Sequence, residues 1–140
     1  MNSTAKLYSP EVLALATRLA DWPPRAQLPW HGDARAPACG SRLSLDLDCD
    51  GTGRITQLGM KAQACAIGQA SAAIFAEAAI GHTRAELAQS HAALQAWLAG
   101  EGDLPDWPGL AAIAPARGFP GRHGAILLSW NAALAALPSA

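Results

Sequence analysis

The chain has 140 residues, of which 51% are hydrophobic, and its formal net charge is −1. This length favours one domain with a substantial core, and a near-neutral charge without a basic stripe argues against nucleic-acid binding. The first six residues lack the apolar core of a secretory signal, and the alanine-rich run at 66–80 is too short and interrupted to span a membrane. We therefore expect a single domain over residues 1–140, cytoplasmic and without a membrane partner.

The first predicted element is a helix. Ser9-Pro10-Glu11 combines an N-cap residue, a proline suited to the first helical position and an acidic residue in the first turn. Pro23-Pro24 ends the pattern. Residues 25–38 contain two prolines and one glycine among mixed residues and predict a loop or an irregular edge strand.

A β-hairpin is predicted next, over about residues 41–62. Residues 43–48 alternate strictly between apolar and polar side chains, as in a half-buried strand, and Asp50-Gly51-Thr52-Gly53 is a turn sequence. If the arms fold back antiparallel about this turn, residues whose numbers sum to about 104 face each other. Cys39 and Cys65 satisfy that relation, so we expect both thiols at one end of the sheet.

The remaining patterns predict, in order, a helix over 66–80 ended by Gly81, a helix over 83–100, a short helical turn over 110–114 and a terminal helix over 130–137. Thr83 and Glu86 have the spacing of a capping box. Glycines and prolines punctuate residues 101–121 too densely for a long element. Without internal repeats or a low-complexity linker, the sequence indicates one α+β domain.

The paired cysteines are the best candidates for chemistry. Cys65 precedes a predicted helix, whose N-terminal amides and dipole favour the thiolate form. Cys39 stands between Pro37 and Gly40, in a loop suited to presenting a ligand. Three cysteines cannot all pair within one chain, so metal or sulfur chemistry is favoured over a disulfide. Each cysteine taken alone is more simply interpreted as a small buried hydrophobic residue, and only their pairing across the hairpin favours a shared site.

Cys49 does not belong to this pair. It lies at the hairpin tip, ten residues after Cys39, and an extended strand of that length spans about 30 Å. We assign Cys49 to structure or surface. His31, His82 and His91 show no metal-ligand spacing.

Several segments together resemble U-type iron–sulfur cluster assembly scaffolds, the family of IscU, SufU and the NifU N-terminal domain. In chain order the matching segments are Leu7–Val12, Ala36–Gly40, Asp50–Ile55, Ala64–Ala72 and Arg117–Ala125, the last leading into Leu128-Ser129-Trp130. The second-cysteine segment, Cys-Ala-Ile-x-x-Ala-Ser, is the most specific. The long stretch before Phe119 is similar to the SufU branch.

The resemblance implies a small antiparallel sheet with helices packed over one face. It also implies a site that receives sulfur from a cysteine desulfurase, builds a transient [2Fe–2S] cluster or holds iron, and passes the product to apoprotein acceptors. On this resemblance the ligands would be Cys39 and Cys65.

The chain departs from the family pattern at three positions. Ser41 stands where the family has aspartate, Ala125 where it has a third cysteine, and Gly124 where some members have histidine. His123 is a candidate substitute ligand. Because a [2Fe–2S] cluster or a tetrahedral zinc ion normally takes four ligands, one subunit is short of donors, and a homodimer, a partner or a small thiol would complete the site.

Three functions remain open: a divergent scaffold, a degenerate scaffold that acts as an interaction or regulatory module for a cysteine desulfurase, and a structural zinc domain, which the ligand shortage disfavours. The sequence contains no catalytic triad, phosphate loop or paired-carboxylate signature, so we do not expect a conventional enzyme.

Overall fold

A computed structural model describes residues 7–138, and the predictions about the first six residues lie outside that range. The strands are β1 (Trp30–Ala36), β2 (Ser41–Cys49) and β3 (Ile55–Gln63). The α-helices are α1 (Pro10–Arg18), α2 (Ala66–Ala79), α3 (Arg84–Leu98) and α4 (His123–Ala136), and 3₁₀ segments cover Leu19–Asp21, Leu110–Gly118 and Pro120–Arg122. None of the helices within residues 7–138 combines the length and apolar character needed to cross a bilayer.

Two predicted helix starts are confirmed by their caps. The amide of Val12 donates to the Ser9 hydroxyl at 3.2 Å, with Pro10 in the first helical position. At α3, the Thr83 side chain accepts from the Glu86 amide, and the Glu86 carboxylate accepts from the Thr83 amide. Each cap satisfies amides that the first helical turn leaves unpaired.

The sheet has the order β1-β2-β3 with both pairings antiparallel, which confirms the predicted hairpin within an α+β fold. The register agrees with the predicted sum of about 104, because the sum is 104 for Cys49 and Ile55 and 105 for the pairs from Asp48–Gln57 to Arg42–Gln63. An irregularity between Asp48 and Cys49 absorbs the difference near the turn. The segment predicted as loop or irregular edge strand contains β1, a regular edge strand.

One face of the sheet forms the floor of the core. Leu43, Leu45 and Leu47 are fully buried there, with Met60 opposite Leu45 on β3. Helix α4 packs over β1 and β2, while α2 packs against β3. The expected helical layer on one face is therefore confirmed.

The last helix begins earlier than the sequence pattern indicates, at His123 rather than Trp130. The glycines before Trp130 suggest a break before the helix, but Gly124 lies within α4 and has a packing role. A Cβ at Gly124 would lie 3.0 Å from the Cβ of Ala36, so the glycine lets the first turn of α4 approach the end of β1. The 3₁₀ segment Leu110–Gly118 also extends beyond the predicted turn at 110–114.

Gly32 allows a second close approach between α4 and the sheet. A Cβ at Gly32 would lie 2.1 Å from the carbonyl oxygen of Ala132 and 2.8 Å from the amide nitrogen of Ala136. Both contacts are to backbone, which cannot rotate away. Only glycine at this strand position permits the observed distance between α4 and β1.

We predict that Gly32→Ala destabilises the protein by about 1–3 kcal/mol or more, because α4 must move off the sheet. Urea unfolding followed by circular dichroism measures the change. Gly51→Ala is the matched control, since no atom lies within 4 Å of a Cβ at that exposed glycine. Equal stability of the two variants would contradict the packing role of Gly32.

Candidate functional site

Three chain segments meet at one end of the sheet, which we call the cysteine end: the β1–β2 turn with Cys39, the start of α2 with Cys65, and the first turn of α4 at residues 123–125. Gly124 lies against Ala36 at the end of β1. A Cβ at Gly68, in the first turn of α2, would lie 3.2 Å from the Cβ of Ala125. The first turn of α4 thus contacts both of the segments that carry the predicted thiols.

A tight turn presents Cys39. The amides of Cys39 and Gly40 both donate to the carbonyl oxygen of Ala36, at 3.2 and 2.9 Å. Gly40 has a φ of 71°, a left-handed conformation that glycine adopts without strain. The turn leaves Cys39 half-buried at the junction of β1 and β2.

The surroundings of Cys39 favour its thiolate form. Its Sγ lies 3.1 Å from the hydroxyl oxygen of Ser41, a residue with only 4% of its surface exposed. Hydrogen bonding from the Ser41 hydroxyl, assisted by its amide and by the charge of Arg122, lowers the pKa of the Cys39 thiol despite the opposing effect of partial burial. A thiolate is the form of cysteine that binds metals and attacks sulfur.

Arg122 is itself held in place from a distant part of the chain. Its Nη2 donates to the hydroxyl oxygen of Tyr8 at 3.2 Å, a contact between residues 114 positions apart. Sequence reasoning missed this pair as part of the site. The segments that contain Tyr8 and Arg122 belong to the resemblance, but no spacing in the sequence indicates that the two side chains meet.

Cys65 occupies the N-cap position of α2, with extended backbone angles of φ −64° and ψ 168°. Its carbonyl oxygen accepts from the Gln69 amide at 2.9 Å, while its side chain makes no capping hydrogen bond. The half-buried Cys65 thiol therefore lies beside the first helical turn of α2 but accepts no capping hydrogen bond from its amides.

Ala125 provides a buried methyl group where the resemblance expects a third thiol. It is 1% exposed and packs against the start of α2. The adjacent carbonyl of Ile126 accepts a 2.7 Å hydrogen bond from the buried Ser71 hydroxyl, which fixes α2 against α4. Position 125 is tightly packed, and its side chain offers no atom that could bind a metal.

His123 begins α4, and its Nε2 donates to the carbonyl oxygen of Arg117 at 2.8 Å. This bond leaves Nδ1 as the ring nitrogen with a free lone pair. A histidine that ligates a metal commonly uses its other nitrogen in this way. Within residues 7–138, however, no three His, Cys, Asp or Glu side chains form a group that could hold a metal ion.

Cys49 lies at the opposite end of the sheet, as predicted, where it pairs with Ile55 next to the turn. Burial, followed by the charges of Asp48 and Asp50, raises the pKa of the Cys49 thiol. A smaller fraction of Cys49 than of Cys39 is therefore in the thiolate form at neutral pH. The two ends of the hairpin therefore carry thiols whose pKa values are shifted in opposite directions.

A family model described as the NifU-like N terminal domain matches residues 24–100. The fold is similar to the crystal structure of the N-terminal part of a nitrogen-fixing NifU-like protein from Brucella abortus, with 25% identity, a TM-score of 0.85 and coverage of 95% of this chain and 93% of that one. It is also similar to FiSufU of Fervidobacterium islandicum AW-1, described as a candidate scaffold protein for iron–sulfur cluster assembly in the SUF system.

The FiSufU likeness has 20% identity, a TM-score of 0.84 and coverage of 96% of this chain and 99% of that one. At that identity it shows a shared fold alone. A search of curated protein sequences gave no match.

We predict that Ser41→Ala raises the pKa of Cys39, because the thiolate loses its principal hydrogen-bond donor. The rate of Cys39 alkylation by iodoacetamide, followed by mass spectrometry across a pH series, should then rise at higher pH than in the unmodified protein. Ser44→Ala, an exposed serine on the opposite face of the same strand, should leave the profile unchanged. Identical profiles for Ser41→Ala and the parent chain would remove Ser41 from the site.

Proposed function

Because the chain belongs to the NifU-like N-terminal domain family, we propose that it is an iron–sulfur cluster assembly scaffold that holds its cargo through Cys39 and Cys65. The observation that carries the proposal is the environment of Cys39. Its pKa is lowered by Ser41 and Arg122 at the same end of the sheet where Cys65 occupies the N-cap position of α2. The description of FiSufU, a protein of the same fold, supports the same function.

Cys39 is the proposed acceptor of sulfur from a cysteine desulfurase. Its thiolate attacks the terminal sulfur of the donor's cysteine persulfide, a new S–S bond forms on Cys39, and the donor's S–S bond breaks. The donor cysteine leaves as a thiolate, so the transfer needs no external oxidant or reductant. A lowered pKa at Cys39 favours this step because the thiolate is the attacking species.

The donor count determines how the cargo would be held. Two thiolates per chain do not complete four-coordinate iron or zinc, whereas two chains related by a twofold axis would supply four thiolates to one transient [2Fe–2S] cluster. His123 is a further candidate ligand through its free Nδ1. Apoproteins that take up the finished cluster are the proposed acceptors.

A second candidate function is a degenerate scaffold that binds and regulates a cysteine desulfurase without carrying a cluster. The buried methyl group of Ala125 favours it, as does the lack of a three-donor group within the described part of the chain. The two functions differ in whether the protein takes up iron.

We predict that anaerobic reconstitution with iron and sulfide yields about one cluster per two chains, because four thiolates are needed. Metal counting, absorption spectra and the mass of the assembly measure this outcome. Cys39→Ala and Cys65→Ala should each abolish cluster and dimer, whereas Cys49→Ala should retain both, since that thiol lies at the far end of the sheet.

Two other outcomes have clear meanings. A monomer that takes up no iron but still binds a cysteine desulfurase would overturn the scaffold function in favour of the regulatory module. A monomer that holds a full cluster would overturn the dimeric site, and loss of that cluster in His123→Ala would identify the missing ligand.

We predict that Ala125→Cys makes the reconstituted cluster survive several-fold longer in the presence of a chelator, because a third thiol is added beside the start of α2. The decay of cluster absorbance measures the lifetime. Ala125→Ser is the matched control, since it adds an atom at the same buried position without supplying a thiolate. Equal lifetimes in the two variants would show that position 125 is not directed at the cargo.

A further inference from the structure

The face of the sheet that the helices do not cover carries a cluster of cations. Arg35 on β1, Arg42 on β2 and Lys61 on β3 are all exposed and line one shallow cavity of about 390 Å³. We call these three residues the basic patch. Asp33 also lines the cavity, so the local charge is strongly but not uniformly positive.

The strand register forces the two arginines together. Arg35 pairs directly with Arg42 across β1 and β2, and Lys61 pairs with Ser44 one row further along. Directly opposed residues in an antiparallel pair have Cβ atoms about 4.5–5.5 Å apart, and like charges there are destabilising. The arrangement therefore opposes folding unless something else neutralises it.

In the described part of the chain, Asp33 is the one carboxylate that lines the cavity, and it forms no ion pair with the three cations. Within residues 7–138, no carboxylate lies within ion-pairing distance of the basic patch. Arg42 instead donates through Nε to the neutral side-chain oxygen of Gln63 at 2.6 Å. Asp46, further along the same face, is occupied by His31 at 2.7 Å and by the Arg25 amide at 2.8 Å.

The basic patch lies next to the thiols. The row that contains Arg35, Arg42 and Gln63 is the last on this face before the cysteine end. The chain runs from Arg35 through Ala36 into the turn that carries Cys39, and Cys65 follows Gln63 by two residues. A macromolecule bound on this face would have its edge beside both cysteines.

We infer that the basic patch docks an acidic segment of the protein that delivers sulfur to Cys39, an inference that rests on the proposed function. Carboxylates match the planar donor geometry of arginine, and complementary charge steers association and fixes orientation. Asp33 within the cavity, and Asp46 and Asp48 beyond it, oppose a long polyanion such as nucleic acid. Among residues 7–138, none of the exposed large hydrophobic residues, Leu13, Trp30 and Ile80, lines the cavity, which argues against a membrane surface.

The test measures binding of purified cysteine desulfurase from the same organism by fluorescence anisotropy at low and at physiological salt. Arg35→Gln/Arg42→Gln should weaken binding about tenfold or more at low salt and flatten its salt dependence. The matched control is Arg18→Gln/Arg54→Gln, which removes the same charge from α1 and from the turn end of the sheet. Thermal melts establish that both variants fold.

The inference would be overturned if Arg35→Gln/Arg42→Gln left the affinity for the desulfurase unchanged. It would also be overturned if the control variant lowered that affinity equally. Tighter binding of a single-stranded DNA oligonucleotide or of phosphatidylserine vesicles to the same arginines would overturn it in favour of that ligand. Asp33→Asn should instead strengthen desulfurase binding, because it removes the one carboxylate in the cavity.

Reconstitution with inorganic sulfide separates this inference from the proposed function, because it bypasses docking. If the arginine variant assembles a cluster from inorganic sulfide but not from desulfurase and cysteine, both ideas are supported. If desulfurase binding depends on the basic patch but the protein assembles no cluster, the scaffold function alone is overturned. Cluster assembly with patch-independent binding would defeat the docking surface alone.

Discussion

The close approach of α4 to the sheet is the constraint on which the rest of the structure depends. At Gly32 the helix backbone occupies the space that any side chain would need, and at Gly124 the helix rests on Ala36. Protein interiors pack too tightly to absorb an added carbon at such contacts without displacement. The close approach of α4 to the sheet therefore depends on the absence of side chains at these two glycines, while the Ser71–Ile126 hydrogen bond holds α4 against α2.

That packing also builds the proposed site. The first turn of α4 lies against both Ala36 and the start of α2, so it joins the turn of Cys39 to the segment that follows Cys65. It also brings His123, and Arg122 just before it, to the same end. It also places Ala125 at this end, so a buried methyl group lies where the resemblance expects a third thiol. The result is a first thiol with a lowered pKa within a donor set that is small for one subunit.

The hairpin separates two electrostatic environments along its length. At the cysteine end, Ser41 and Arg122 lower the pKa of Cys39, and Arg35, Arg42 and Lys61 cover the open face. At the turn end, burial and two aspartates raise the pKa of Cys49. The thiol with the lowered pKa and the basic patch therefore lie at the same end of the sheet, which is the end where we propose that sulfur and an acidic partner bind, and the thiol with the raised pKa lies at the other end.

The sequence by itself determined what local chemistry controls: the caps at Ser9 and Thr83, the alternation of β2, and the placement of Cys39 and Cys65 at one end of a hairpin with Cys49 at the other. Periodicity and capping depend on neighbours within a few residues, so they can be predicted without a fold. Tertiary structure alone decided the one-residue shift in register between Asp48 and Cys49, the start of α4 and the Tyr8–Arg122 contact. These depend on an irregularity in pairing, on glycines that accept a neighbouring backbone, and on side chains far apart in the chain, none of which leaves a local pattern.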